Sequence, residues 1–182
     1  MTVPTAIEVG LLDASAGEDP RVVKRLTELI NEVYATAEEG LWRDGATRTT
    51  PSQVAGLVRA REIAVATVSG ELVGAVRVWA VSEVTGETGM LVADPERRNI
   101  GVGSALIAFA EGRGRELGLR TMQLELLVPR GWQHPTKVFL DEWYRRIGYR
   151  VTRTTGVAES EPELAPLLAV PCEFVVYEKS LD

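Results

Sequence analysis

Apolar side chains recur every three to four residues in some stretches of this chain and every second residue in others, and the switches between the two periods outline its elements. Ala6–Leu12 alternates as a short strand. Val22, Val23, Leu26, Leu29, Ile30, Val33 and Tyr34 keep helical spacing across 20–40, with Asp19 placed to cap the start and Gly40 to stop the end. A polar loop, "LWRDGATRTT", precedes a second short helix that begins with Thr50 as cap and Pro51 in the first turn. "EIAVATVSGELVGAVRVWAV" is two β-rich runs joined at Ser69-Gly70, the pattern of a hairpin. The stretch "ETGMLVADP" is a third strand in this region. It leads to a helix over Gly101–Leu117, then the strand "GLRTMQLELLVP" and the helix "PTKVFLDEWYRRIG". "YRVTRTT" and "CEFVVYEKSL" read as the last strands, with a short helix predicted at "SEPELAPLL" between them. This order predicts an α/β fold: a mixed, mostly antiparallel central sheet flanked by helices on both faces.

Composition narrows the picture little. Of 182 residues, 45% are hydrophobic and 25% charged, which suits one globular domain over 1–182. The net charge of −6 argues against a nucleic-acid partner and mildly favours cationic ligands such as amines. Cys172 is alone and lies in an apolar run, where a buried small hydrophobe is expected. One cysteine and one histidine give no metal-ligand spacing, so no metal is expected. No apolar run suits a membrane span and the first residues lack signal-peptide character, so a cytoplasmic location is expected.

The chemistry concentrates in "DPERRNIGVGSALI". Gly101 and Gly103 stand one residue apart where a helix begins, although glycine weakens helices. The first turn of a helix has unpaired N–H groups and partial positive charge, both of which an anion satisfies. Glycines let that anion reach the backbone; Arg97 and Arg98 add charge and Ser104 a hydroxyl, so a pyrophosphate fits. A dinucleotide loop would need a third glycine near Leu106, and a P-loop would need Gly-Lys-Ser/Thr, so neither matches.

The stretch "GMLVADPERRNIGVGSALI" resembles the acyl-CoA-binding motif of the GNAT superfamily of N-acyltransferases: a strand, a proline, then Arg-x-x-Gly-x-Gly opening a helix. "FLDEWYRRIGYRV" resembles that family's later helix, and the element order matches the GNAT fold over nearly the whole chain. The resemblance implies that acetyl-CoA is a co-substrate. It places the pyrophosphate on Arg98, Asn99, Ile100, Gly101, Val102, Gly103 and Ser104, and the pantetheine arm along Leu91, Val92 and Ala93. It makes Tyr144 the proton donor to the leaving thiolate and Glu87 a candidate general base acting through water. It also puts a residue such as Asn at the start of the later helix; Lys137 stands there and is a candidate contact to a CoA phosphate.

The same resemblance gives the acceptor pocket to the first two helices and their loop. Glu38, Glu39 and Asp44 are candidates to attract an ammonium and Trp42 to form a wall or cation–π face. His134, in "RGWQHPTK", faces the acceptor side either as a titrating group or as a cap of the next helix. The long segment Thr154–Val170 either covers the cleft or forms an oligomer surface, as in a homodimer. The expected activity is acetyl transfer to a primary amine, a small molecule in preference to a protein N-terminus or lysine, by direct attack in a ternary complex. A non-catalytic acyl-CoA sensor is the alternative.

Overall fold

The computed structural model describes residues 6–97 and 99–182. Seven strands form one sheet: β1 (Ile7–Leu11), β2 (Ile63–Val68), β3 (Glu71–Ala80), β4 (Thr85–Ala93), β5 (Thr121–Pro129), β6 (Arg150–Gly156) and β7 (Cys172–Ser180), in the order β1-β2-β3-β4-β5-β7-β6. Every neighbouring pair is antiparallel except β4 and β5. The helices are α1 (Pro20–Ala37), α2 (Pro51–Arg59), α3 (Val102–Glu116), α4 (Pro135–Arg146) and the one-turn α5 (Val157–Ser160). No described helix is long and apolar enough to cross a membrane.

Local chemistry starts most of these elements. Asp19 accepts from the Arg21 N–H at 2.8 Å ahead of Pro20, and Thr50 with Gln53 forms a reciprocal capping box ahead of Pro51. Ser69 and Gly70 both take positive φ, as a tight hairpin between β2 and β3 requires. The helix expected at "SEPELAPLL" does not form: α5 lies before it and reaches only its first residue, Ser160, and the stretch itself carries a 3₁₀ turn over Ala165–Leu167. Pro162 disfavours helical backbone at Glu161, which leaves the helical region at φ −139°, ψ 72°.

The sheet buries both faces. Val23, Leu26, Leu29 and Ile30 of α1 and Val54 and Val58 of α2 pack with Ile63, Ala75 and Val92. On the other face Val102, Leu106, Ile107 and Ala110 of α3 and Tyr144 of α4 pack with Val76, Val78, Met122, Leu124 and Tyr177. A third cluster joins Leu41, in the loop after α1, to Leu127, Val157, Cys172 and Phe174. Cys172 is buried there, as its apolar run suggests.

One pairing shapes the site. β4 and β5 are hydrogen-bonded only from Thr85 to Thr88 against Thr121 to Leu124. Beyond that point β4 takes a bulge: Ala75 faces Val92 and Arg77 faces Gly89, so three steps on β4 match two on β3. Met90, inside the bulge, takes the left-handed φ of 48°. The two strands part here and leave a wedge between them, open at the end where both strands lead to their helices.

Candidate active site

The wedge holds a cavity of about 90 Å³ between β4, β5, α1 and α4, lined among others by Tyr34, Arg48, Thr88, Met90, Leu91, Glu125, Lys137 and Tyr144. The free edge of β4 over Gly89–Ala93 has no partner strand on this side. At the vertex the buried Thr88 hydroxyl has no hydrogen-bond partner among the described residues. An unpaired buried hydroxyl is uncommon and marks a place where a ligand can supply the missing bond.

β4 runs out through Leu91, Val92 and Ala93 into a 3₁₀ turn at Pro95–Arg97 and then to α3. Asn99 at φ 65° and Gly101 at φ 92° both take left-handed backbone, which Asn tolerates and Gly adopts freely. Gly101 is the N-cap of α3, and no side chain caps it. The first helical bond runs from the Ala105 N–H to the Gly101 carbonyl at 3.0 Å, so the N–H groups of Val102, Gly103 and Ser104 precede the helical ladder. Ile100 and Ser104 are exposed beside them. A Cβ on Gly103 would stand 3.5 Å from the indole of Trp143, so α3 and α4 approach closely at this point. Arg97 pairs with Glu71 at 2.6 Å, which directs it away from the turn. Arg98 lies outside the described residues.

Tyr144 is buried, with its ring 5.2 Å from Trp143, 5.6 Å from Tyr177 and 6.2 Å from Tyr149, centroid to centroid. These contacts fix its orientation. Burial raises the pKa of its phenol, followed by the nearby Tyr34 and Tyr177. The group therefore carries its proton at neutral pH.

Glu87 sits in the hydrogen-bonded half of β4, where Gln123 Nε2 donates to it at 2.8 Å. Burial raises its pKa, with Gln123 and Arg77 opposing. Glu87 does not line the cavity; Glu125, two residues beyond its cross-strand partner Gln123, does. Glu125 is half-buried and forms no ion pair among the described residues. Burial, then Glu87 and Glu161, push its pKa up to about 7, with Arg153 opposing. A carboxylate tuned near neutral pH in a cleft has the properties of a general base. Sequence reasoning missed it; the signal was one acidic residue inside the apolar strand "QLELLV".

The acceptor-side residues are more tied down than the sequence suggests. Glu38 is not free to attract an ammonium, because Lys137 Nζ lies 2.7 Å from its Oε1 and Trp42 Nε1 donates to its Oε2 at 2.7 Å. The pair is deeply buried, at 2% and 6% side-chain exposure. Burial pulls the Lys137 pKa down while Glu38 holds it up. Lys137 therefore faces α1 and is not available for a CoA phosphate. The cation over Trp42 is the protein's own Arg48, 5.3 Å from the ring. Glu39 is exposed, and its carbonyl lies 3.1 Å from His134 Nε2. His134 Nδ1 accepts from the Thr136 N–H at 3.2 Å, so both ring nitrogens are engaged and the residue caps α4. The segment Thr154–Val170 is stitched to the loop after α1: Trp42 bridges Leu168, and Leu41 and Arg43 exchange main-chain hydrogen bonds with Ala169 and Leu167.

A family model for the acetyltransferase (GNAT) domain matches residues 59–151. No curated protein sequence matches the chain. Similar solved structures include an aminoglycoside 6′-N-acetyltransferase complexed with coenzyme A, at 16% identity over 96% of this chain and 97% of that one, TM-score 0.70. YncA from Salmonella typhimurium with its cofactor acetyl-CoA gives 14% identity over 97% and 95%, TM-score 0.66. Ard1 from Thermoplasma volcanium gives 17% over 96% and 97%, TM-score 0.65. At these identities the likeness is one of fold.

Proposed function

The chain belongs to the GNAT acetyltransferase family, and from that premise we propose that it transfers the acetyl group of acetyl-CoA to a primary amine on a small molecule. The observation that carries the reading is the wedge: an unpaired β4 edge leads from the cavity to the uncapped start of α3. The N–H groups of Val102, Gly103 and Ser104, with the turn from Asn99 to Gly101, hold the pyrophosphate. Leu91, Val92 and Ala93 pair their backbone with the pantetheine amides, as a neighbouring strand would. The bulge at Met90 turns main-chain N–H toward the thioester carbonyl, whose oxygen gains charge during attack.

The amine nitrogen forms the new bond to the carbonyl carbon, and the carbon–sulfur bond breaks. Glu125 takes the proton the nitrogen sheds, and Tyr144 gives one to the departing sulfur. Glu87 acts behind Glu125, since its charge raises the basicity of its neighbour. Titration calorimetry with CoA, followed by thiol release with a panel of amines, tests the reading. Binding of CoA and release dependent on one class of amine is expected. Binding without release on any amine would instead favour a sensor, and absence of CoA binding would refute the assignment.

A further inference from the structure

Two side chains of opposite sign line the cavity without an ion-pair partner among the described residues. Its charged lining residues are Glu38, Arg48, Glu125 and Lys137. Glu38 and Lys137 neutralise each other at 2.7 Å. That leaves Arg48 and Glu125, and neither forms an ion pair among the described residues. Arg48 comes from the loop before α2. Its guanidinium carbon lies 5.0 Å from the centre of the Tyr34 ring and 5.3 Å from that of Trp42, and Arg48 is half-buried. Cation–π contact with two rings holds the guanidinium in place, and a planar group with five N–H donors has donors left for a partner. Trp42 is itself anchored by Glu38, so the platform under Arg48 is fixed from below. Around Glu125 stand the carboxylates of Glu87 and Glu161, with Arg153 as the opposing cation.

Resting on the acetyltransferase reading, we infer that the acceptor is an aminocarboxylate: its amine lies at Glu125 beside the bulge of β4, and its carboxylate is held by Arg48. A planar guanidinium forms two parallel hydrogen bonds to a carboxylate, which sets the distance between the anion and the reacting nitrogen. A simple alkyl amine would leave the Arg48 charge unmatched in a partly buried site.

The test uses the full chain and matched acceptors: free amino acids, their primary amides and the corresponding amines lacking the carboxylate. The expected result is a kcat/KM about tenfold or more higher for the acids, the discrimination that charge-assisted bidentate contacts give. Arg48→Gln should raise KM for the acids by a similar factor, leave KM for acetyl-CoA unchanged and bring the acid-to-amide ratio near one. Arg48→Lys should restore part of the preference, which a purely structural role of Arg48 would not predict. Equal or better turnover of amides and plain amines, no turnover of any acid, or an Arg48→Gln enzyme that keeps its preference would overturn the inference. In each of those cases CoA binding by calorimetry stands as before; its absence would remove the acetyltransferase reading and this inference with it.

Discussion

The starts of α3 and α4 are built in opposite ways. At α4 the ring of His134 and the ammonium of Lys137 are committed to the protein: His134 caps Thr136 and meets the Glu39 carbonyl, Pro135 opens the first turn, and Lys137 is buried on Glu38. At α3 a left-handed glycine stands where a capping side chain would be, and the first N–H groups have no acceptor in the helix. The helices α1 and α2 follow the α4 pattern, with Asp19 and Thr50 as caps. A closed start makes a helix a rigid carrier, so α4 serves through the side chain of Tyr144. An open start at glycine sacrifices roughly a few tenths of a kcal/mol of capping and makes the backbone itself the binding group, as we propose for α3.

Substitutions at the two ends should therefore fail differently. The largest effect is expected from Lys137→Met, which strands the buried Glu38 carboxylate; the fold should lose about 3–5 kcal/mol, read from the denaturant midpoint. Gly103→Val should weaken CoA binding by about a hundredfold, the worth of one or two charge-assisted hydrogen bonds, by crowding the open turn and pressing on Trp143. Calorimetry would show it; unchanged binding would end the contrast drawn between the two helices. Tyr144→Phe should do the converse, lowering kcat about a hundredfold while CoA affinity stays the same.

Glu125 gives the contrast a pH signature. Its pKa lies at about 7, raised by burial and by Glu87 and Glu161 against the pull of Arg153. Below that value the carboxyl is protonated and cannot take the amine's proton, so kcat/KM should rise as pH passes through 7. Glu125→Gln should flatten that limb. The smallest effect belongs to Thr50→Ala, which opens a closed helix start away from the proposed coenzyme turn: about 1 kcal/mol of stability lost, and CoA affinity untouched.

These contrasts were unevenly legible in the sequence. Caps, the Ser69-Gly70 hairpin and the paired glycines are local signals, because each depends on residues within a few positions of one another. The mixed sheet with helices on both faces followed from the order of periodic segments. What could not be read depends on long-range pairing. Glu38 looks like a free carboxylate until Lys137, 99 residues later, is brought against it. His134 looks like a lone titrating group until the Glu39 carbonyl and the Thr136 N–H occupy both nitrogens. Glu125 and Arg48 acquire meaning only once the wedge opens, and that depends on a non-glycine residue, Met90, accepting left-handed backbone, which composition does not announce.

The short parallel ladder between β4 and β5 divides the sheet into two leaves. The first is β1 to β4 and the second β5 to β7, and the chain crosses from one to the other once, between α3 and β5. Four residue pairs, the cores flanking them and the tie from α1 to α4 hold the leaves together. A molecule lying in the wedge bonds to both leaves at once and acts as a rivet along their common seam. Saturating coenzyme should consequently raise the melting temperature of the whole protein, and slow amide exchange at Thr121–Leu124 more than in strands far from the seam.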